Sequence, residues 1–138
     1  MRIVLDTNVF VSAVFFGGPP GRILEAWRDG RLRLVMSLEI LEEYQRVGQI
    51  LRDEHPSVDL EPLLALLAVH ADLIEAPPVG EPVCADPDDD KFFACAVAAG
   101  VTLIVSGDKD LVEQSGWRGI RVLRPRGFVD EHLPQAGR

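Results

Sequence analysis

Short, nearly continuous apolar runs alternate with helix-period stretches along most of this chain, and that alternation most narrows the folds open to it. Arg2-Ile3-Val4-Leu5, ending at Asp6, reads as a strand of a parallel sheet buried on both faces. Leu32 to Met36, Leu73-Ile74, Thr102 to Val105 and Arg121-Val122-Leu123 read as further strands. Helical stretches separate them. The first starts at about Asn8; a second runs from Arg22 to Asp29 with Ile23, Leu24, Ala26 and Trp27 on one stripe, closed by Gly30. Ser37 is placed to cap a third, through Leu41, Tyr44 and Val47, and a fourth covers about Asp59 to Ala71. Asp86-Pro87 has the cap and first-turn proline of a fifth, which buries Phe92, Phe93, Ala96 and Val97 and ends at Gly100; a short helix lies near Leu111. Gly17 to Gly21 reads as a connector bordering the site, since it lacks the Gly-Lys-Ser/Thr ending of a phosphate-binding loop. Parallel strands need crossovers, so the pattern predicts an α/β fold, a three-layer αβα sandwich around a central parallel sheet.

With 138 residues, 47% of them hydrophobic, one core can be filled, and the reading is one domain over 1–133 with a short tail at 134–138. No uninterrupted apolar stretch of roughly 18 residues occurs, so neither a signal peptide nor a membrane span is expected. Cys84 and Cys95 stand eleven positions apart, without the close spacing of zinc or dithiol chemistry, and read as reduced thiols of a cytoplasmic protein. A formal charge of −8 argues against gripping nucleic acid by a broad basic surface. Phosphate chemistry here must bring its own cations, which favours a local acidic metal site.

Ligands of open parallel sheets bind beyond the carboxyl ends of the strands, and those positions are acidic in this chain. Asp6 ends the first strand, Asp108 follows Val105-Ser106-Gly107, and the helix opening at Asp86-Pro87 brings Asp88, Asp89 and Asp90 to the same edge. Glu43 lies about 9 Å along its helix from Ser37, at ~1.5 Å per residue, and still reaches that edge. Residues three and four apart share a helix face. Glu43 therefore sits with Ile40 and Val47, whereas Glu42 sits with Glu39 and Arg46 on a solvated face. The same test favours Asp89, above Phe92 and Phe93, with Asp90 as the alternate. Clustered carboxylates repel, and all-oxygen donors select Mg²⁺ or Mn²⁺. Such ions serve phosphodiester hydrolysis without a histidine, cysteine or serine nucleophile, and His55, His70 and His132 sit near no motif.

Leu5-Asp6-Thr7-Asn8-Val9, Ser37 followed six positions later by Glu43, Asp86-Pro87-Asp88-Asp89-Asp90-Lys91-Phe92 and Val105-Ser106-Gly107-Asp108-Lys109-Asp110-Leu111 form an ordered set. Over roughly residues 1 to 129 this set resembles the PIN domain family, and within it the toxin components of bacterial toxin–antitoxin pairs related to the VapC ribonucleases. The resemblance implies a flavodoxin-like sandwich and an endoribonuclease dependent on Mg²⁺ or Mn²⁺. It puts the catalytic and metal-binding acids at Asp6, Glu43, Asp89 and Asp108, with hydroxyl or amide supports at Thr7, Asn8, Ser12 and Ser106. Ser106 stands where threonine is commoner, a change that keeps the hydroxyl. The resemblance also implies an RNA substrate, single-stranded or structured, a homodimer, and an inhibiting antitoxin.

Plainer readings stand beside these. Asp6 suits a helix cap, though a cap alone leaves three other acids at the same edge unexplained. Asp86 reads as a structural cap and Asp88 as a complement to the helix dipole. Asp110 reads either as a support to a metal ligand or as the cap of the helix at Leu111. Arg124 and Arg126 read as surface cations, or in a functional reading as contacts to RNA phosphates. Two other classes share the architecture: a phospho-receiver domain, for which Lys109 is only loosely placed, and a catalytically silent interaction module, which intact acids at four positions argue against.

Overall fold

The computed structural model describes residues 1–134, so the predicted tail lies outside the described residues except for Pro134. Five strands, β1 (Arg2–Leu5), β2 (Arg33–Ser37), β3 (Asp72–Ile74), β4 (Leu103–Val105) and β5 (Arg121–Leu123), pair in the order β3-β2-β1-β4-β5, all parallel. β1 is central, and after its first residue it is wholly buried, which is what its unbroken apolar run demands. The chain leaves β1 toward β2 on one side and returns beside it as β4 on the other. That reversal makes a crevice at the carboxyl ends of β1 and β4.

Helices flank the sheet: α1 (Thr7–Phe15), α2 (Gly18–Arg28), α3 (Leu38–Glu54), α4 (Glu61–His70), α5 (Asp90–Ala99), α6 (Lys109–Val112) and α7 (Pro125–His132). α1 packs on α2 and α3, α7 packs on α2, and α5 lies across β1, β2 and β4. Right-handed crossovers put the connections from β1 to β3 on one face and α5 on the other. Phe10 of α1 stacks on Tyr44 of α3 with ring centroids 4.3 Å apart, and Phe93 of α5 meets Trp117 edge-on at 5.5 Å. Each fully buried side chain of this size stabilises the fold by about 1.5–3 kcal/mol.

Local chemistry sets the helix ends. The Ser37 hydroxyl accepts from the Ile40 N–H at 3.3 Å and caps α3, and Gly100 ends α5 in the left-handed conformation at φ 68°. Two expectations are corrected. The segment read as a connector at Gly17 to Gly21 instead opens α2, which begins at Gly18; Pro19 and Pro20 fall in the first turn, where a missing N–H costs nothing. Asp86-Pro87 opens a 3-10 turn, Pro87–Asp89, that precedes α5, with the Asp86 carboxylate accepting from the Asp88 N–H at 3.0 Å. α7, which buries Phe128 and Val129, had no counterpart in the sequence reading. Cys84 and Cys95 are free and buried, and burial pushes both thiols up to about 12. No helix among the described residues is long and apolar enough to cross a membrane.

Candidate metal centre

The registered pairing of Leu5 with Val105 puts the residues after β1 and β4 side by side. Asp6 donates its backbone N–H to the Val105 carbonyl at 2.9 Å, extending the ladder by one residue before α1 begins. Its carboxylate occupies the cap position of α1 but makes no capping bond. The Ser106 hydroxyl takes it instead, donating to Asp6 Oδ2 at 2.7 Å and accepting from the Asp108 N–H at 2.9 Å. Both Asp6 and Ser106 are buried. Burial raises the Asp6 carboxyl most; Asp108 and Glu43 push the same way, against the hydrogen bond from Ser106.

Asp89, Asp108 and Asp110 converge from the start of α5 and the start of α6, each offering a ligand atom within 4.8 Å of the others. Asp108 is the cap of α6, accepting the Asp110 N–H at 2.9 Å, so the cap belongs to Asp108 and leaves the Asp110 carboxylate to the cluster. The Asp89 carboxyl is pushed up to about 7, by burial first and then by the negative charges of Asp108, Asp6, Asp86 and Asp88. Among the described residues, no lysine, arginine or histidine forms an ion pair with Asp6, Asp89, Asp108 or Asp110. An all-carboxylate donor set held this close without a counter-charge fits a hard divalent cation.

Glu43 is placed differently. It is half-buried at the inner face of α3, while Glu42 is exposed. The Thr7 hydroxyl donates to Glu43 Oε2, and Lys91 of α5 donates to Glu43 Oε1 at 2.5 Å. Lys91 also pairs with Asp88 at 3.2 Å, which gives Asp88 a partner beyond the helix dipole and lowers its carboxyl. Burial pulls the Lys91 ammonium down, but its bonds to Glu43 and Asp88 outweigh that and leave it raised. Asp90, the alternate to Asp89, points away from the cluster: its carboxylate accepts the Cys84 N–H at 2.7 Å and the Val83 N–H at 3.3 Å. The 3-10 turn separates the phases of the two aspartates.

Among the supports, Thr7 is buried and acts on Glu43, Ser106 on Asp6 and Asp108, and Asn8 is exposed. Asn8 and Ser12 line a shallow pocket with Pro20, Gly107 and Asp108. Arg124 donates to the Gly107 carbonyl at 2.8 Å and so holds the loop that carries Asp108. Two residues escaped the sequence reading. Tyr44 donates its hydroxyl to the Leu5 carbonyl at 2.6 Å, pinning the end of β1 from α3; a tyrosine on an otherwise apolar stripe was the available signal. Lys91 was the other, and its signal was a lysine three places after Asp88, inside the acidic run.

This acidic crevice at the reversal of a five-stranded parallel sheet defines an α/β protein with a carboxylate cluster of the kind that suits a divalent metal. Residues 2–110 match the family model described as PIN domain, and the chain belongs to that family. It is 30% identical over 146 residues to the uncharacterized protein MJ1680 of Methanocaldococcus jannaschii, covering 95% of this chain and 91% of that one. Its fold is similar to a chain in the crystal structure of VapBC2 from Rickettsia felis bound to a DNA fragment from their promoter. The TM-score is 0.59 at 14% identity, over 90% of this chain and 98% of that one.

Proposed function

We propose that the protein is a metal-dependent endoribonuclease that hydrolyses RNA phosphodiester bonds at the Asp6, Asp89 and Asp108 carboxylates. The observation that carries this is the convergence of Asp89, Asp108 and Asp110 without a counter-charge, beside buried Asp6, in a member of the PIN family. PIN domains are typically nucleases. A Mg²⁺ or Mn²⁺ ion held there would supply Lewis acidity, offsetting charge on the scissile phosphate and promoting ionisation of the attacking water to the hydroxide nucleophile. The chain's own residues do the rest. Ser106 orients Asp6 and the Asp108 backbone together, Asp108 caps the helix that presents Asp110, and the Thr7 and Lys91 contacts fix Glu43. With a net charge of −8 the chain meets RNA mainly through bound metal and a few local cations such as Arg124.

A role as the toxin of a toxin–antitoxin pair, acting in the cytoplasm as a homodimer, is the finer reading. The motif order and the fold shared with the VapBC2 chain support it. A groove beside the site, lined by Pro78, Val79 and Pro82 and rimmed by Glu39, Glu81 and Asp88, suits an extended peptide carrying arginine. Cleavage of single-stranded RNA should stop in EDTA and return with Mg²⁺ or Mn²⁺. Cleavage that persists in EDTA and in Asp6→Asn would remove the reading.

A further inference from the structure

The carboxylates of this centre fall into two groups. Glu43 is fully engaged, with Lys91 Nζ at 2.5 Å and Arg46 at 3.7 Å on Oε1 and the Thr7 hydroxyl on Oε2. The Lys91 side chain is only 11% exposed, so its charge needs its partners, and freeing Glu43 would leave the ammonium with Asp88 alone, at 3.2 Å, in a poorly solvated place. Asp89, Asp108 and Asp110 have no such partner among the described residues. A divalent ion therefore reaches the aspartates without breaking an ion pair, but reaches Glu43 only by expelling an ammonium already in contact.

Two-metal nucleases place their ions about 3.5–4 Å apart to neutralise both the attacking and the departing oxygen. Here the Lys91 ammonium already sits on Glu43, at 2.5 Å from Oε1. We propose that Lys91 is a positioning residue that stands in for a second metal ion at Glu43, so that the centre takes a single divalent cation at the Asp89, Asp108 and Asp110 cluster beside Asp6. This rests on the metal-dependent reading above. It changes what Glu43 does: the glutamate anchors Lys91 rather than ligating metal. The amine, unlike a second ion, is also beyond the reach of a chelator.

The test counts Mn²⁺ ions per chain, by the electron paramagnetic resonance of free Mn²⁺ and by calorimetry. Wild type should bind one equivalent, and Lys91→Arg also one. Lys91→Met keeps the stem but removes the charge, and should bind two; adding Glu43→Gln to it should return the count to one. Two equivalents on wild type, or one on folded Lys91→Met, overturns the proposal. Should Lys91→Met fail to fold, Glu43→Gln alone decides: one retained equivalent supports the proposal and loss of that ion overturns it. Wild type that binds two ions and cuts RNA removes only the role of Lys91, whereas wild type that binds none removes the metal-nuclease reading with it.

Discussion

The two edges of the sheet treat their carboxylates in opposite ways. At the amino edge, Asp72 of β3 lies between Arg2 of β1, at 3.4 Å, and Arg33 of β2, at 2.6 Å. This is the ordinary solution for an acid among strand ends, and on a surface it contributes at most about 1 kcal/mol. At the carboxyl edge, Asp6, Asp89, Asp108 and Asp110 gather without one such partner among the described residues, although Arg124 is near enough to bond the Gly107 carbonyl. The fold has the means to neutralise acids and at this edge applies them to Glu43 and Asp88 through Lys91, but not to these four aspartates. Repulsion retained there is a cost to folding that a cation, once bound, would offset.

The largest test of that contrast is functional. Asp89→Asn and Asp108→Asn should each lower RNA cleavage by at least about 100-fold, since even residues that merely orient a metal ligand commonly cost 10–100-fold. Asp72→Asn at the other edge should leave cleavage unchanged, and equal losses at both edges would erase the distinction. The next concerns pH. A carboxyl raised from 3.8 to about 7 favours its protonated form in the fold, so Asp89 takes stability from the metal-free chain as pH rises from about 4 to 7, and no more above that. Metal must displace that proton, so Mn²⁺ affinity should climb by up to about tenfold per pH unit to near pH 7 and then level. Thermal melts of Asp89→Asn should lack this contribution, and a pH-independent Mn²⁺ affinity between pH 5 and 7 would contradict it.

Smaller effects sharpen the comparison further. Tyr44→Phe strands the Leu5 carbonyl and should cost about 1–3 kcal/mol by urea denaturation, an edge effect with no change of charge. Asp72→Asn should cost no more than about 1 kcal/mol and should weaken further in salt. A greater loss there would mean that the amino edge is not merely an exposed ion pair.

Much of this arrangement was legible in the residues because it is local. Apolar runs located the strands, Ser37 and Asp86 announced helix starts through bonds of two or three residues' span, and helix phase separated Glu43 from Glu42. What stayed hidden depends on contacts between elements. The Lys91 bond to Glu43 spans 48 positions and the Thr7 bond to it 36, and nothing in a stripe pattern says where a long side chain ends up. Helix phase favoured Asp89, which the cluster holds, but it gave no sign that Asp90 would clasp the Val83 and Cys84 backbone across the 3-10 turn. α7 was missed because its eight residues bury only two apolar side chains, too few to make a period visible.

The clasp made by Asp90 has a consequence for motion. Residues 76–85 make no backbone-to-backbone hydrogen bond among the described residues, and the polar contacts that fasten them are the Asp90 bonds to Val83 and Cys84 and the exposed Glu81–Arg118 pair at 3.2 Å. One carboxylate at the root of α5 therefore works as a latch for a whole proline-rich segment. Releasing it breaks no rung of the sheet and no turn of a helix, so beyond that latch the segment is held mainly by the burial of Val83 and Cys84 in the core.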